Sequence, residues 1–149
     1  MTPARSSAEL GALYQEMILD HYRRPRNKGT LENPDASVEM KNPLCGDEIE
    51  LQVAFDRDCV CDLRFSGRGC SISQASASMM TQLVKGKSTE EIDAIRKQFR
   101  ELMLGQAPAD DTKLGSLRAL SGVAKFPARV KCALLAWNAL ETALTERQP

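Results

Sequence analysis

Ile49-Glu50-Leu51-Gln52-Val53-Ala54-Phe55-Asp56-Arg57-Asp58-Cys59-Val60-Cys61-Asp62-Leu63-Arg64-Phe65 decides the fold. Ile49, Leu51, Val53 and Phe55 alternate with their neighbours, and Cys61, Leu63 and Phe65 form a second alternating set, so the run reads as two half-buried strands. Asp56-Arg57-Asp58 is turn chemistry and predicts a tight hairpin between them. Upstream, Val38 and Met40 alternate with charged residues and supply a third strand. The connection from Asn42 to Asp47 contains Pro43 and Gly46, which places Cys45 in a loop at one end of the predicted sheet.

Around this sheet the apolar period becomes helical. Ser6-Ser7-Ala8-Glu9 resembles a capping box, followed by Leu10, Leu13, Tyr14, Met17 and Ile18 at helical spacing until Pro25 interrupts. Pro25 to Pro34 reads as a surface loop. After Cys70, Ile72, Ala75, Met79 and Leu83 fall on one helical face, with Ser76, Ala77 and Ser78 small enough for close approach. Ser88-Thr89-Glu90-Glu91 is a second capping box, leading into Ile92, Ile95, Phe99 and Leu102. Gly105 to Thr112 is a polar loop, Leu114, Leu117, Leu120 and Val123 predict a short helix, and Pro127 opens a last helix with Val130, Leu134, Trp137 and Leu140 on one stripe. An antiparallel sheet followed by segregated helices is an α+β architecture.

The 149 residues have room for one domain with a sizeable core, spanning 1–149, with residues 1–6 and 145–149 expected as flexible ends. Lys plus Arg balance Asp plus Glu at 20 each, so the formal charge of zero gives no bias toward nucleic acid or anionic membrane. Five cysteines are an odd number, and residues 1 to 30 hold no apolar signal run, which disfavours a disulfide framework and favours a reduced cytoplasm. No stretch approaches the roughly 20 apolar residues that span a bilayer.

Chemistry concentrates on Cys45-Gly46-Asp47, on Cys70 after Gly67-Arg68-Gly69, and on Cys132 after Phe126-Pro127-Ala128-Arg129-Val130-Lys131. Three thiols and a carboxylate can together hold a borderline-soft divalent cation such as zinc. Cys70 precedes one helix and Cys132 lies in the first two turns of another. Helix starts stabilise negative charge by roughly 0.3–1 kcal/mol and so favour the thiolate that a metal requires. Cys59 and Cys61, on the alternating third strand, read instead as small core hydrophobes. His21, the only histidine, lies on the first helix and reads as structural. The Arg23, Arg24, Arg26 and Lys28 cluster reads as a solvated turn or a docking patch.

Over nearly the whole chain the sequence resembles the U-type proteins of iron–sulfur cluster biogenesis, the family of IscU, SufU and the N-terminal domain of NifU. The resemblance is carried by Leu13-Tyr14, Ile18-Leu19-Asp20-His21-Tyr22, Pro25-Arg26-Asn27, Asn42-Pro43-Leu44-Cys45-Gly46-Asp47, the run from Gly67 to Ser76, and Phe126 to Cys132. It implies a three-stranded antiparallel sheet packed by helices, and a metal or cluster site made by the three cysteines and the aspartate. It also implies a cysteine desulfurase as partner. Two features favour the SufU-type branch: Lys131 stands where the IscU branch has a histidine, and the segment from Gly86 to Lys125 matches the SufU-type insertion.

That branch implies a zinc-dependent sulfurtransferase accepting persulfide sulfur from a SufS-type desulfurase, with downstream iron–sulfur scaffold proteins as further partners. Cys45 is the implied acceptor, and Cys45, Asp47, Cys70 and Cys132 are the implied zinc ligands. The resemblance also implies that docking loosens Cys45 by exchange of a ligand. Arg129, one turn before Cys132, is a candidate for steering the partner or stabilising a thiolate or persulfide, set against a solvated helix-start cation. The alternatives are an iron–sulfur scaffold holding a cluster through the same four residues, a closed structural zinc module, and, weakest, a cysteine hydrolase.

Overall fold

The computed structural model describes residues 7–44, 46–106 and 112–146. A first helix, α1 (Ser7–Arg23), precedes three strands, β1 (Ala36–Asn42), β2 (Asp47–Asp56) and β3 (Cys59–Arg68). Then come α2 (Ser71–Val84), α3 (Thr89–Met103), a 3₁₀ segment (Thr112–Lys125) and α4 (Pro127–Glu146). The strands form one antiparallel sheet in the order β1-β2-β3, as the alternation predicts. The cap expected at Ser6 lies outside the described residues, as does part of the polar loop after Gly105.

One face of the sheet is core. Val38, Ile49, Leu51, Val53, Leu63 and Phe65 are buried there, and α2 and α4 pack behind them. The other face carries charges, including Glu48 paired with Arg68 at 3.3 Å and with Lys41 at 3.9 Å. Such exposed pairs contribute about 0–1 kcal/mol each, so the sheet is held by its buried face. Behind α2 and α4 pack α1, α3 and the 3₁₀ segment. Phe99 of α3 meets Trp137 of α4 with ring centroids 5.3 Å apart. The predicted cap of α3 is present in full: Glu91 N donates to the Ser88 hydroxyl, and Ser88 N donates to the Glu91 carboxylate.

The structure departs from the expected pattern at five places, each for a physical reason. Cys61 is exposed rather than turned inward with Leu63. Phe55 pairs with Val60 and Ala54 with Asp62, so Cys61 is the extra residue of a β-bulge and the alternation changes parity there. Residues 25–34 are not simply a surface loop, because Phe65 N donates to Asn27 O and Gly29 N to Phe65 O, extending the sheet beyond β3. In α2, Ser73, Gln74, Ser76 and Ser78 are buried with Ala75 and Met79, whereas Ile72 and Leu83 are half-buried. This helix is surrounded by neighbours, so an apolar stripe does not mark its buried side.

In α4, Leu134 is half-buried while Cys132, Leu135 and Ala136 are buried, because the helix lies between the sheet and α2 rather than on one surface. Finally, the helix predicted over Leu114–Val123 is 3₁₀, interrupted at Gly115 with φ 51°. Its leucines recur strictly every third residue, which is the 3₁₀ period, and all three are buried. No helix among the described residues is long and apolar enough to cross a membrane.

Candidate metal centre

Asp47 is the first residue of β2 and is completely buried. Its partner across the β1–β2 pair is Asn42, and the connection returns tightly: Gly46 N donates to Asn42 O at 2.9 Å, and Leu44 N to Asn42 Oδ1 at 3.2 Å. Gly46 has φ 70°, a left-handed conformation that glycine adopts without strain. Leu44 before it is 77 % exposed. Cys45 itself lies outside the described residues, so the structure specifies the two sides of its loop rather than the thiol.

From β3 the chain turns into α2 through Gly67-Arg68-Gly69-Cys70. A Cβ at Gly67 would overlap the carbonyl oxygen of Glu48, and one at Gly69 would overlap the Asp47 carboxylate. Both glycines are needed for the close approach of this turn to the start of β2. Cys70 occupies the position before α2 with extended backbone, and its N–H donates to Asp47 Oδ1 at 2.8 Å. Its sulfur lies 3.8 Å from the other oxygen, Oδ2. The Cys70 carbonyl accepts from Gln74 N and from the Ser73 hydroxyl, which holds the first turn of α2.

Cys132 enters from α4. Pro127 is the first residue of that helix, with the fixed φ and absent N–H that suit the position. Cys132 lies five residues further, fully buried, with its sulfur 3.8 Å from Ala128 O. One ligand atom from each of Asp47, Cys70 and Cys132 can be chosen so that all lie within 4.8 Å of one another. Three of the four residues named from the sequence are therefore brought together, from a strand start and two helix starts far apart in the chain.

The donor set fits a metal ion. A buried carboxylate is costly unless paired, and among the described residues no Lys or Arg forms an ion pair with Asp47. Its Oδ1 accepts from the Cys70 amide and its Oδ2 only a long, weak hydrogen bond from the Cys70 thiol at 3.8 Å, so a cation shared by the three groups would meet the charge and replace that thiol proton. Zinc takes thiolate at about 2.3 Å and carboxylate at about 2.0–2.2 Å in tetrahedral sites, and Cys45, two residues before Asp47 in sequence, is the candidate that the sequence names for a fourth position.

His21 takes no part in the group. It is buried beside α2, with Nδ1 2.8 Å from the Ser78 hydroxyl, which also accepts Arg26 N. Burial, followed by the nearby Arg26 charge, pushes its pKa down from 6.5 to about 4. Its neutral ring is thus part of the packing, as its place on an amphipathic helix predicts.

Arg129 is exposed and has no ion pair among the described residues. It lines a cleft of about 960 Å³ with Tyr14, Ser71, Ile72, Arg118 and Phe126, next to the Cys70 and Cys132 helix starts. Arg26 of the basic cluster pairs with Asp20 at 2.7 Å. What the sequence reading missed lies behind the ligands: the buried hydroxyls of Ser73, which it gave no role, and Ser76, read only as a small residue. A run of serines in a helix start that is otherwise apolar was the available signal.

Comparison with known proteins agrees with this fold. The family described as NifU-like N terminal domain matches residues 13–133. The chain is 50 % identical to the zinc-dependent sulfurtransferase SufU of Bacillus subtilis, covering 95 % of this chain and 96 % of that protein. It is 47 % identical to the iron–sulfur cluster assembly scaffold protein IscU of Streptococcus pyogenes, over 92 % of this chain and 86 % of that one. A crystal structure described as an iron–sulfur cluster assembly scaffold protein for the SUF system, from Fervidobacterium islandicum, superposes with TM-score 0.82 at 38 % identity, covering 93 % of this chain and 99 % of the other. With the family model, the relatives and the fold in agreement over most of its length, the chain belongs to the NifU-like N-terminal domain family.

Proposed function

We propose that this protein is a zinc-dependent sulfurtransferase of iron–sulfur cluster assembly, receiving persulfide sulfur from a cysteine desulfurase at Cys45. The observation that carries the proposal is the convergence of Asp47, Cys70 and Cys132 within 4.8 Å beside the loop that bears Cys45. Those three residues with Cys45 would hold zinc. The ion, when bound, supplies positive charge that keeps thiols ionised near neutral pH.

Cys45 performs the transfer. The outer sulfur of a desulfurase persulfide is electrophilic, and the Cys45 thiolate attacks it. A new S–S bond forms at Cys45, the original S–S bond breaks, and its electron pair leaves on the desulfurase cysteine as thiolate. The acceptor needs access to a partner: its sequence neighbours are Leu44, an exposed apolar side chain, and Gly46 with φ 70°, and Phe126, before the helix that carries Cys132, is a second exposed apolar side chain suited to a protein partner. Asp47 and Cys70, tied together by an amide–carboxylate hydrogen bond, and Cys132, buried in α4, form the fixed side of the site. Arg129, exposed and without an ion pair among the described residues, is assigned to steering the partner or the anionic sulfur.

The scaffold reading uses the same ligands for a cluster as cargo, and a relative at 47 % identity carries a scaffold name. The side chains favour sulfur transfer, because exposed Lys131 precedes Cys132 and the sole histidine is committed to Ser78. Alanine release by a cysteine desulfurase, given cysteine and reductant without iron, tests the choice. Strong stimulation by the zinc-loaded protein that is lost in Cys45→Ser supports transfer, and absence of stimulation moves the assignment to the scaffold.

A further inference from the structure

We infer that Ser76 is a positioning residue for the metal centre, fixing the separation of Cys70 and Cys132 through a hydrogen bond between the helices that carry them. The inference rests on the metal site proposed above. Ser76 is completely buried, and its hydroxyl donates to Ala133 O of α4 at 2.6 Å. Ala133 directly follows Cys132, and Ser76 lies six residues beyond Cys70 in α2. The bond therefore closes a short circuit of backbone from one sulfur ligand to the other.

The usual behaviour of a helical hydroxyl is to return to a carbonyl in its own preceding turn. Four helical hydroxyls of this protein do so: Ser73 bonds Cys70 O, Thr81 bonds Ser78 O while also lying 3.2 Å from Arg26 O, Thr142 bonds Asn138 O and Thr145 bonds Glu141 O. Ser76 instead crosses to α4 and meets a carbonyl one residue from a ligand. With the hydroxyl buried, sliding or rotating α4 against α2 would leave it unsatisfied, so the bond resists the movements that alter the sulfur separation.

The neighbouring residues permit this arrangement. Ala75 and Ala77 beside Ser76, and Ala133 and Ala136 on α4, are small and fully buried, which lets two backbones approach closely enough for one short side chain to span them. Ligand distances in metal centres fall within about 0.2 Å of their standard values, so a contact that sets helix placement bears on affinity. Residues behind the ligands change metal affinity by about 10–100-fold when removed.

The test is metal binding by the full chain, using zinc in competition with a chromophoric chelator and cobalt(II) as an absorbance probe of ligand geometry. Ser76→Ala should fold, with the near-ultraviolet signal of Trp137 retained. It should bind zinc about 10–100-fold more weakly and shift the cobalt d–d bands. Ser76→Thr, which keeps the donor, should restore both. Unchanged zinc affinity and cobalt spectrum in Ser76→Ala, or its failure to fold, would overturn the positioning role and leave Ser76 as a packing residue. Cys70→Ser run in parallel separates the two readings: if it also binds zinc normally, the metal site itself is wrong.

Discussion

Helix α2 serves two buried polar clusters that differ in one respect. At its start, Asp47 and Cys70 meet Cys132; two turns further on, Ser78 and Thr81 meet His21, Arg26 and Asn27. In the second cluster the contacts close on themselves: the Ser78 hydroxyl serves both His21 Nδ1 and Arg26 N, and Thr81 Oγ1 donates to Ser78 O and accepts from Asn27 Nδ2. In the first, a completely buried carboxylate has one oxygen on the Cys70 amide and the other beside sulfur, with no Lys or Arg paired to it among the described residues. A buried cluster complete in itself is architecture. One left short of a positive charge is a site for a cation.

The sharpest way to break this contrast is to disable each cluster in turn. Asp47→Ala should weaken zinc binding by at least about 100-fold, since it removes the ligand proposed above and the acceptor of the Cys70 amide. Ser78→Ala should leave zinc affinity within about twofold while lowering unfolding stability by about 1–3 kcal/mol, because His21 and Arg26 N lose a buried partner. Chelator competition and urea titration of the same two proteins give both numbers. Equal losses of zinc affinity would mean that the clusters are not separable.

A smaller effect comes from the turn between them and the sheet. Gly69→Ala inserts a Cβ against the Asp47 carboxylate and should cost about 1–3 kcal/mol of stability together with a measurable loss of zinc affinity. If zinc binding survives intact, the carboxylate can move without consequence and its placement is not what makes the site.

The closed cluster has its own signature in pH. With a folded pKa of about 4 against 6.5, His21 resists protonation in the native state, where burial and Arg26 oppose its charge and Asp20 partly favours it. The unfolded chain therefore binds the extra proton first, and stability falls as pH drops from 6.5 toward 4. Between pH 7 and pH 5 this amounts to about 2 kcal/mol, which urea unfolding would register and His21→Gln should reduce. A native protein with no more pH dependence than His21→Gln would place the ring in a less buried setting.

Much of this was legible from local chemistry. Alternation at Ile49–Phe55 gave the strands, Ser88 and Glu91 gave a helix start, and Pro127 gave another, because these signals depend on neighbours within a few residues. Cys61 was misread for the complementary reason. A bulge depends on how two strands pair, and nothing in Cys59-Val60-Cys61 announces the extra residue. The buried serines of α2 were misjudged similarly: from Ser73 to Thr81 a helix enclosed by α1, α4, β3 and the 3₁₀ segment is buried on every side, so polarity marks no solvent face there.

The sequence by itself named the candidate donors, three thiols and a carboxylate set beside a glycine or at helix starts, and with them the chemistry proposed for the protein. It also determined the periodicities that make a three-stranded sheet and its helices. Only the tertiary structure decided that residues 47, 70 and 132 share one small volume, that His21 is spent on Ser78, and that Ser76 crosses to α4 rather than bonding its own helix. The physical reason is range. Propensity and capping act within a turn or two of the chain, whereas a ligand set is a matter of distances that arise only when the sheet, α2 and α4 are packed together.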